Sequence, residues 1–142
     1  MAKNKVDFSE VRKLRDNLQN QLSQAQLDLF MESCAKELTA RLLAKVKRRT
    51  PVGQYPDKVG GTLRRGWDGS VGNITRHGNT YSVEIINPVE YASYVEYGHR
   101  TRNHQGWVKG RFMLTISEDE VRRDAPKVLE KKLKKMLEGC FK

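Results

Sequence analysis

The chain has 142 residues, enough for one ordinary domain with its own core. No apolar run approaches the roughly 18 residues of a membrane span, and Met1 to Phe8 lacks the apolar stretch of a secretory signal, so synthesis and folding in the cytoplasm are expected. The formal net charge of +10 points to an acidic partner, nucleic acid or protein, while Cys34 and Cys140 stand alone, without the close pairing of a zinc or redox motif, and read as two reduced thiols.

Asp7 to Gln19 reads as a short helix, with Asp7 and Glu10 at the spacing of a capping box and Phe8, Val11, Leu14 and Leu18 on one apolar stripe. A second box, Ser23 with Gln26, opens a longer helix. There Leu27, Met31, Cys34, Ala35, Leu38, Leu42 and Val46 keep the helical period and predict the buried face, with Cys34 as a small core residue. Pro51 ends this helix, because a residue before proline is pushed out of the α region. The stretch 51–66, carrying Pro51, Gly53, Pro56, Gly60 and Gly61, predicts an extended loop.

A β region follows. Trp67 to Thr75 and Thr80 to Ile86 are expected to pair as an antiparallel hairpin across the turn residues His77, Gly78 and Asn79. Asn87, Pro88 and Glu90 then start a short helix as cap, first-turn proline and box partner, with Gly98 at its end. His99 to Gly110 reads as loop and Arg111 to Ile116 as a last strand. Ser117 and Glu120 form a further box before a final helix that buries Val121, Ala125, Val128, Leu129, Met136 and Leu137, and Pro126 should kink or restart it. The fold class is α+β: an antiparallel sheet packed against a long helix and a C-terminal helix, with long extended loops. One domain is expected over 1–142, divided into an N-terminal helix (1–22), a long helix (23–50), an extended loop (51–66), a sheet with a short helix and a basic loop (67–116) and a C-terminal helix (117–142).

The positive charge is concentrated in two regions. Between Arg41 and Trp67 only Asp57 opposes Arg41, Lys45, Lys47, Arg48, Arg49, Lys58, Arg64 and Arg65. Between Tyr97 and Phe112, Arg100, Arg102, Lys109 and Arg111 meet no acid at all. Long loops rich in arginine, glycine and aromatic residues are where partner contacts are usually built. The candidate interface therefore takes Arg48, Arg49, Lys58, Arg64, Arg65 and Trp67 from the first region. From the second it takes Tyr97, His99, Arg100, Arg102 and Trp107. Glu90, Tyr94 and Glu96 offer the acidic and aromatic patch that such arginines would meet on a neighbouring subunit. Lys127, Lys131, Lys132, Lys134 and Lys135 on the last helix add to this charge but are interleaved with Glu130 and Glu138, so a merely solvated face weighs more there than in the two loops.

Nothing in the chain reads as an active site. His77, His99 and His104 have no cysteine or carboxylate at metal-ligand spacing. The nucleophile-elbow, Walker, zincin and dinucleotide-binding patterns are absent. No cofactor, no metal and no catalysis are expected. Two alternatives remain open: a basic nucleic-acid-binding module, and a small nuclease, which would need clustered acids that the chain does not offer.

Three blocks stand out in order: Thr50-Pro51-Val52-Gly53, then Gly61-Thr62-Leu63-Arg64-Arg65-Gly66-Trp67, then Asn87-Pro88-Val89-Glu90-Tyr91-Ala92-Ser93-Tyr94-Val95-Glu96-Tyr97-Gly98-His99. Together they resemble the phage family typified by gene product ten of phage HK ninety-seven, over nearly the whole chain. The loop between the first two blocks and the loop after Gly98 are longer here than the family pattern. The resemblance implies a virion protein of the neck or tail, a head–tail joining or tail-completion subunit made in the host bacterial cytoplasm. It further implies a homo-oligomeric ring, commonly six-fold, with neighbouring neck, tail-tube or connector proteins as partners, non-specific contact with passing DNA, and no membrane.

Overall fold

The computed structural model describes residues 9–21, 23–70, 74–78 and 80–139. Five helices and two small antiparallel sheets make an α+β fold: α1 (Ser9–Gln21), α2 (Gln24–Arg49), α3 (Thr62–Arg65), a 3-10 turn (Gly66–Ser70), β1 (Ile74–His77), β2 (Thr80–Val83), α4 (Ala92–Tyr97), β3 (Gly98–Arg100), β4 (Trp107–Lys109) and α5 (Met113–Glu138). The expected cap Asp7, the stripe residue Phe8, Asn79 of the expected turn and Cys140 lie outside the described residues. On α1, Leu14 and Leu18 are half-buried, but Val11 faces solvent.

Helix α2 starts and stops as its sequence dictates. Ser23 Oγ accepts from Gln26 N at 3.3 Å, and the chain turns extended at Thr50, before Pro51. Its buried face is rotated from the expected one. Cys34, Thr39, Leu43 and Val46 are buried, whereas Leu38 and Leu42 are half-buried and Met31 is exposed. Thr39 can face inward because its hydroxyl donates to Ala35 O at 2.7 Å, so it brings no unmet polar group with it.

The core is small and lies at the C-terminal half of α2. Leu43, Val46, Leu63, Trp67 and Met113 are buried together, with Leu42, Ile85, Val89, Ala92, Val95 and Leu114 packed around them. The stretch expected to be loop to residue 66 contains α3, which drives Leu63 into that core. Of the strand expected over Trp67 to Thr75, Ile74 and Thr75 lie in β1 and residues 71–73 are outside the described ones, while Trp67 sits in the 3-10 turn, where its ring is buried and its Nε1–H donates to Thr50 Oγ1 at 2.9 Å.

The sheet is split into two hairpins. β1 pairs with β2, from Ile74 opposite Val83 to His77 opposite Thr80, and lies against α2. β3 pairs with β4, from Gly98 opposite Lys109 to Arg100 opposite Trp107. The residues expected to form the loop after Gly98 are thus a hairpin. The strand expected over 111–116 is instead the approach to α5 and its first turn. Ser117 is a fully buried residue inside α5, donating to Met113 O at 2.6 Å, and is no helix cap. Asn87 does not cap α4 either. Its Oδ1 accepts from Val89 N at 3.1 Å, its Nδ2 donates to Leu63 O at 2.7 Å, and the helix starts five residues later. Helix α5 runs on through Pro126 without restarting, the proline being on the exposed side.

Helices α2 and α5 pack antiparallel, as their cross-links fix. Arg49 and Lys45 reach Glu120 near the start of α5, and Lys132 near its end reaches Glu37 at 2.7 Å and Ser33 at 2.8 Å. Toward the N-terminal half of α2 the pair opens into a cavity of about 440 Å³ lined mainly by apolar side chains, among them Phe30, Met31, Leu38, Leu129 and Leu133.

Candidate interaction surface

The hairpin β3–β4 is rooted on one buried carboxylate. Glu96 is 6 % exposed, and its side chain accepts from Leu114 N and Thr115 N at 2.9 Å each and from Thr115 Oγ1 at 2.6 Å. These are the unpaired donors of the first turn of α5, where a helix favours negative charge. The same segment holds the far end of the hairpin by its backbone: Arg111 N donates to Val95 O at 2.7 Å and Phe112 N to Glu96 O at 3.0 Å.

Two glycines let these strands approach. A Cβ on Gly110 would stand 2.4 Å from Glu96 O. One on Gly98 would stand 2.5 Å from Val108 O, at a φ of +91° that L side chains rarely adopt. Phe112 takes the left-handed region (φ 49°), which redirects the chain from β4 into α5, and its ring meets Tyr97 edge-on at 6.4 Å. The turn beyond is closed by side chains. Gly106 N donates to Thr101 Oγ1 at 3.0 Å, Gln105 N to Asn103 Oδ1 at 3.1 Å and Thr101 N to Gly106 O at 3.0 Å.

This scaffold presents aromatic and basic side chains outward. Trp107, Tyr97 and Tyr94 are 63, 64 and 58 % exposed, and Tyr94 packs its ring near His99 at 5.8 Å. Arg100, Arg102, Lys109 and Arg111 are exposed, and among the described residues none of them forms an ion pair. The structure thus gathers Tyr94 and Tyr97 of α4 with His99, Arg100, Arg102 and Trp107 of the β3–β4 hairpin. Val108 and Lys109 of β4 join them; Lys109 is among the basic residues of the second region, and Val108 carries no signal in the sequence.

The first basic region is different in kind. Arg64 Nη2 donates to Thr50 O at 2.8 Å and Arg65 Nη1 to Gly60 O at 3.0 Å, so both tie the 51–61 segment down through carbonyls. Lys58 lies over the Tyr55 ring at 4.3 Å. Arg49 bonds Ser117 Oγ at 3.1 Å and pairs with Glu120. Arg48 and Glu90 are exposed. Two residues expected at an interface are internal: Trp67 belongs to the core, and Glu96 caps α5 and meets no loop arginine. A recess of about 230 Å³ joins this segment to α4, lined by Val52, Tyr55, Tyr91 and Val95 among others.

Among the described residues no three metal-ligating side chains converge, and no helix is long and apolar enough to cross a membrane. The most exposed aromatic and basic side chains of α4 and the β3–β4 hairpin stand together on a small α+β scaffold. Residues 12–98 match the family described as "Bacteriophage HK97-gp10, putative tail-component", and the chain belongs to that family of phage tail components. The match ends at Gly98, the first residue of β3, and so leaves out most of the hairpin and all of α5. No curated protein and no solved structure matches the chain.

Proposed function

We propose that this chain is a non-enzymatic, ring-forming subunit of the phage neck or tail end, assembling as a homo-oligomer, six-fold by analogy with its family, around the channel through which DNA leaves. The observation that carries this reading is the β3–β4 hairpin. It is an aromatic and arginine-rich protrusion, anchored at its root, whose charges form no ion pair among the described residues. Tyrosine, tryptophan and arginine are the residues that dominate protein–protein contacts. A ring needs two different patches on each subunit; the hairpin supplies one, and the face around Glu90 and the 51–61 segment, with Arg48, Lys58, Arg64 and Arg65, is the candidate for the other. Neighbouring neck, tail-tube or connector proteins would stack above and below.

Electron microscopy of the purified protein, alone and with tail components, tests the reading. Rings are expected for the wild type and none for Trp107→Ala combined with Arg100→Glu. A wild type that stays monomeric and off purified particles overturns it. The rival reading, a nucleic-acid-binding module in which the hairpin grips phosphate, predicts instead that the double variant assembles normally and loses DNA affinity.

A further inference from the structure

On the side of the α2–α5 pair away from its apolar opening runs a second groove, of about 360 Å³, and its chemistry is unlike that of the hairpin. Among the described residues Arg41, Lys127, Lys131, Lys132 and Lys135 line it, with Glu37 as the one carboxylate and Val128 as the one apolar side chain. Glu37 is already committed twice, to Lys132 at 2.7 Å and to Arg41 at 3.0 Å. Those hydrogen bonds, Lys132 first and Arg41 second, hold its carboxyl below the usual value of 4.5, so it stays ionised and spent. Lys127, Lys131 and Lys135 are exposed and form no ion pair among the described residues. They recur every fourth residue, and Arg123 extends the row, so four cations stand along about 18 Å of one helix face.

We propose that this groove holds the phosphodiester backbone of duplex DNA, without sequence preference. Protein interfaces bury an apolar centre and are depleted in lysine; this groove has a single valine and is made mostly of lysine. A lysine ammonium is a point charge that attracts phosphate without demanding a fixed geometry. Affinity for a duplex requires only that charges line up along it and release its counterions. The site does not depend on the ring, and most of it lies on α5, beyond the residues matched to the family.

Fluorescence anisotropy of the full chain with a short labelled duplex of mixed sequence, across a salt series, is the test. The wild type should bind at low salt. The variant K127E/K131E/K135E should lose affinity by at least about tenfold, and its logarithmic salt dependence should flatten by about 2 to 3. R12E/K13E/R15E makes the same change of net charge on exposed positions of α1 and should lose much less. Lys→Gln at the three groove positions serves if the reversal misfolds, which circular dichroism will reveal. No binding by the wild type, unchanged binding by both groove variants, or equal losses from the groove and α1 variants each overturn the proposal.

Discussion

The side chains that carry the recognisable sequence blocks act mostly as joints. Thr50 donates its hydroxyl to Val46 O at 2.7 Å while accepting from Trp67, so the end of α2 and the 3-10 turn meet at a single oxygen. Glu96 closes the third block onto α5. Glu96→Ala leaves two backbone donors and a hydroxyl of that first turn without their acceptor and should destabilise the fold by about 1–3 kcal/mol. Chemical denaturation checks it, and Glu96→Gln, which keeps an acceptor oxygen, should lose less. Leu43 and Leu38 make a second comparison. Leu43→Ala should cost about 2–5 kcal/mol because its site is closed on all sides. Leu38→Ala should cost clearly less, since Leu38 lines the open apolar cavity. Equal losses would place the buried face of α2 where its sequence periodicity put it.

At the scale of elements, α2 was legible because its cap, its apolar period and its proline stop agree with one another. Its exact phase was not, because a buried threonine that satisfies its own hydroxyl looks polar in sequence. The β3–β4 hairpin was invisible for a related reason. Three-residue strands carry no readable alternation, and their anchor, Glu96, lies in another element. The start of α5 was misplaced because its cap comes from eighteen residues upstream and not from a local box. Within the candidate surface, the tyrosines, Arg100, Arg102 and Trp107 could be read from composition. That Trp67 and Glu96 point inward could not, since burial depends on partners distant in sequence.

Glu120 gives this scale its own prediction. Its hydrogen bonds to Lys45 and then Arg49 hold its carboxyl below the usual value of 4.5. A group depressed in the folded state stabilises that state above its unfolded pKa, and the contribution fades as pH falls through the folded value. The α2–α5 junction should therefore weaken on acidification below about pH 4.5. Glu120→Gln should lower the melting temperature at neutral pH, and the gap to wild type should close as pH drops further. A gap constant from pH 7 to pH 3 would mean that the pair contributes nothing through its charge.

For the whole molecule, the surface is out of proportion to the mass. The chain exposes 11211 Å², where about 7,500 Å² is expected of a compact 16.4 kDa monomer. A small core at one end of two long helices accounts for part of the excess, and the assembly proposed above would cover some of it. Unfolding the isolated chain then uncovers less new surface than its length implies. Its denaturant m-value should be below that of compact domains of similar size, and it should rise in the assembled state. A normal m-value for the isolated chain would contradict an open subunit.

The doubly anchored hairpin has a consequence for how such proteins diversify. Both of its ends are fixed within a few residues of Glu96, and the turn between Arg100 and Trp107 is closed by its own threonine and asparagine. Residues 101–106 can therefore be exchanged as a cassette. Insertions, deletions or wholesale replacement there change what the tip touches while the root, the core and α5 keep their contacts. Replacing 101–106 with a two-residue Asn-Gly turn should leave the melting temperature nearly unchanged and, under the role proposed above, alter which neighbour is recognised. Related phages could in this way retarget a tail subunit without having to evolve a new fold.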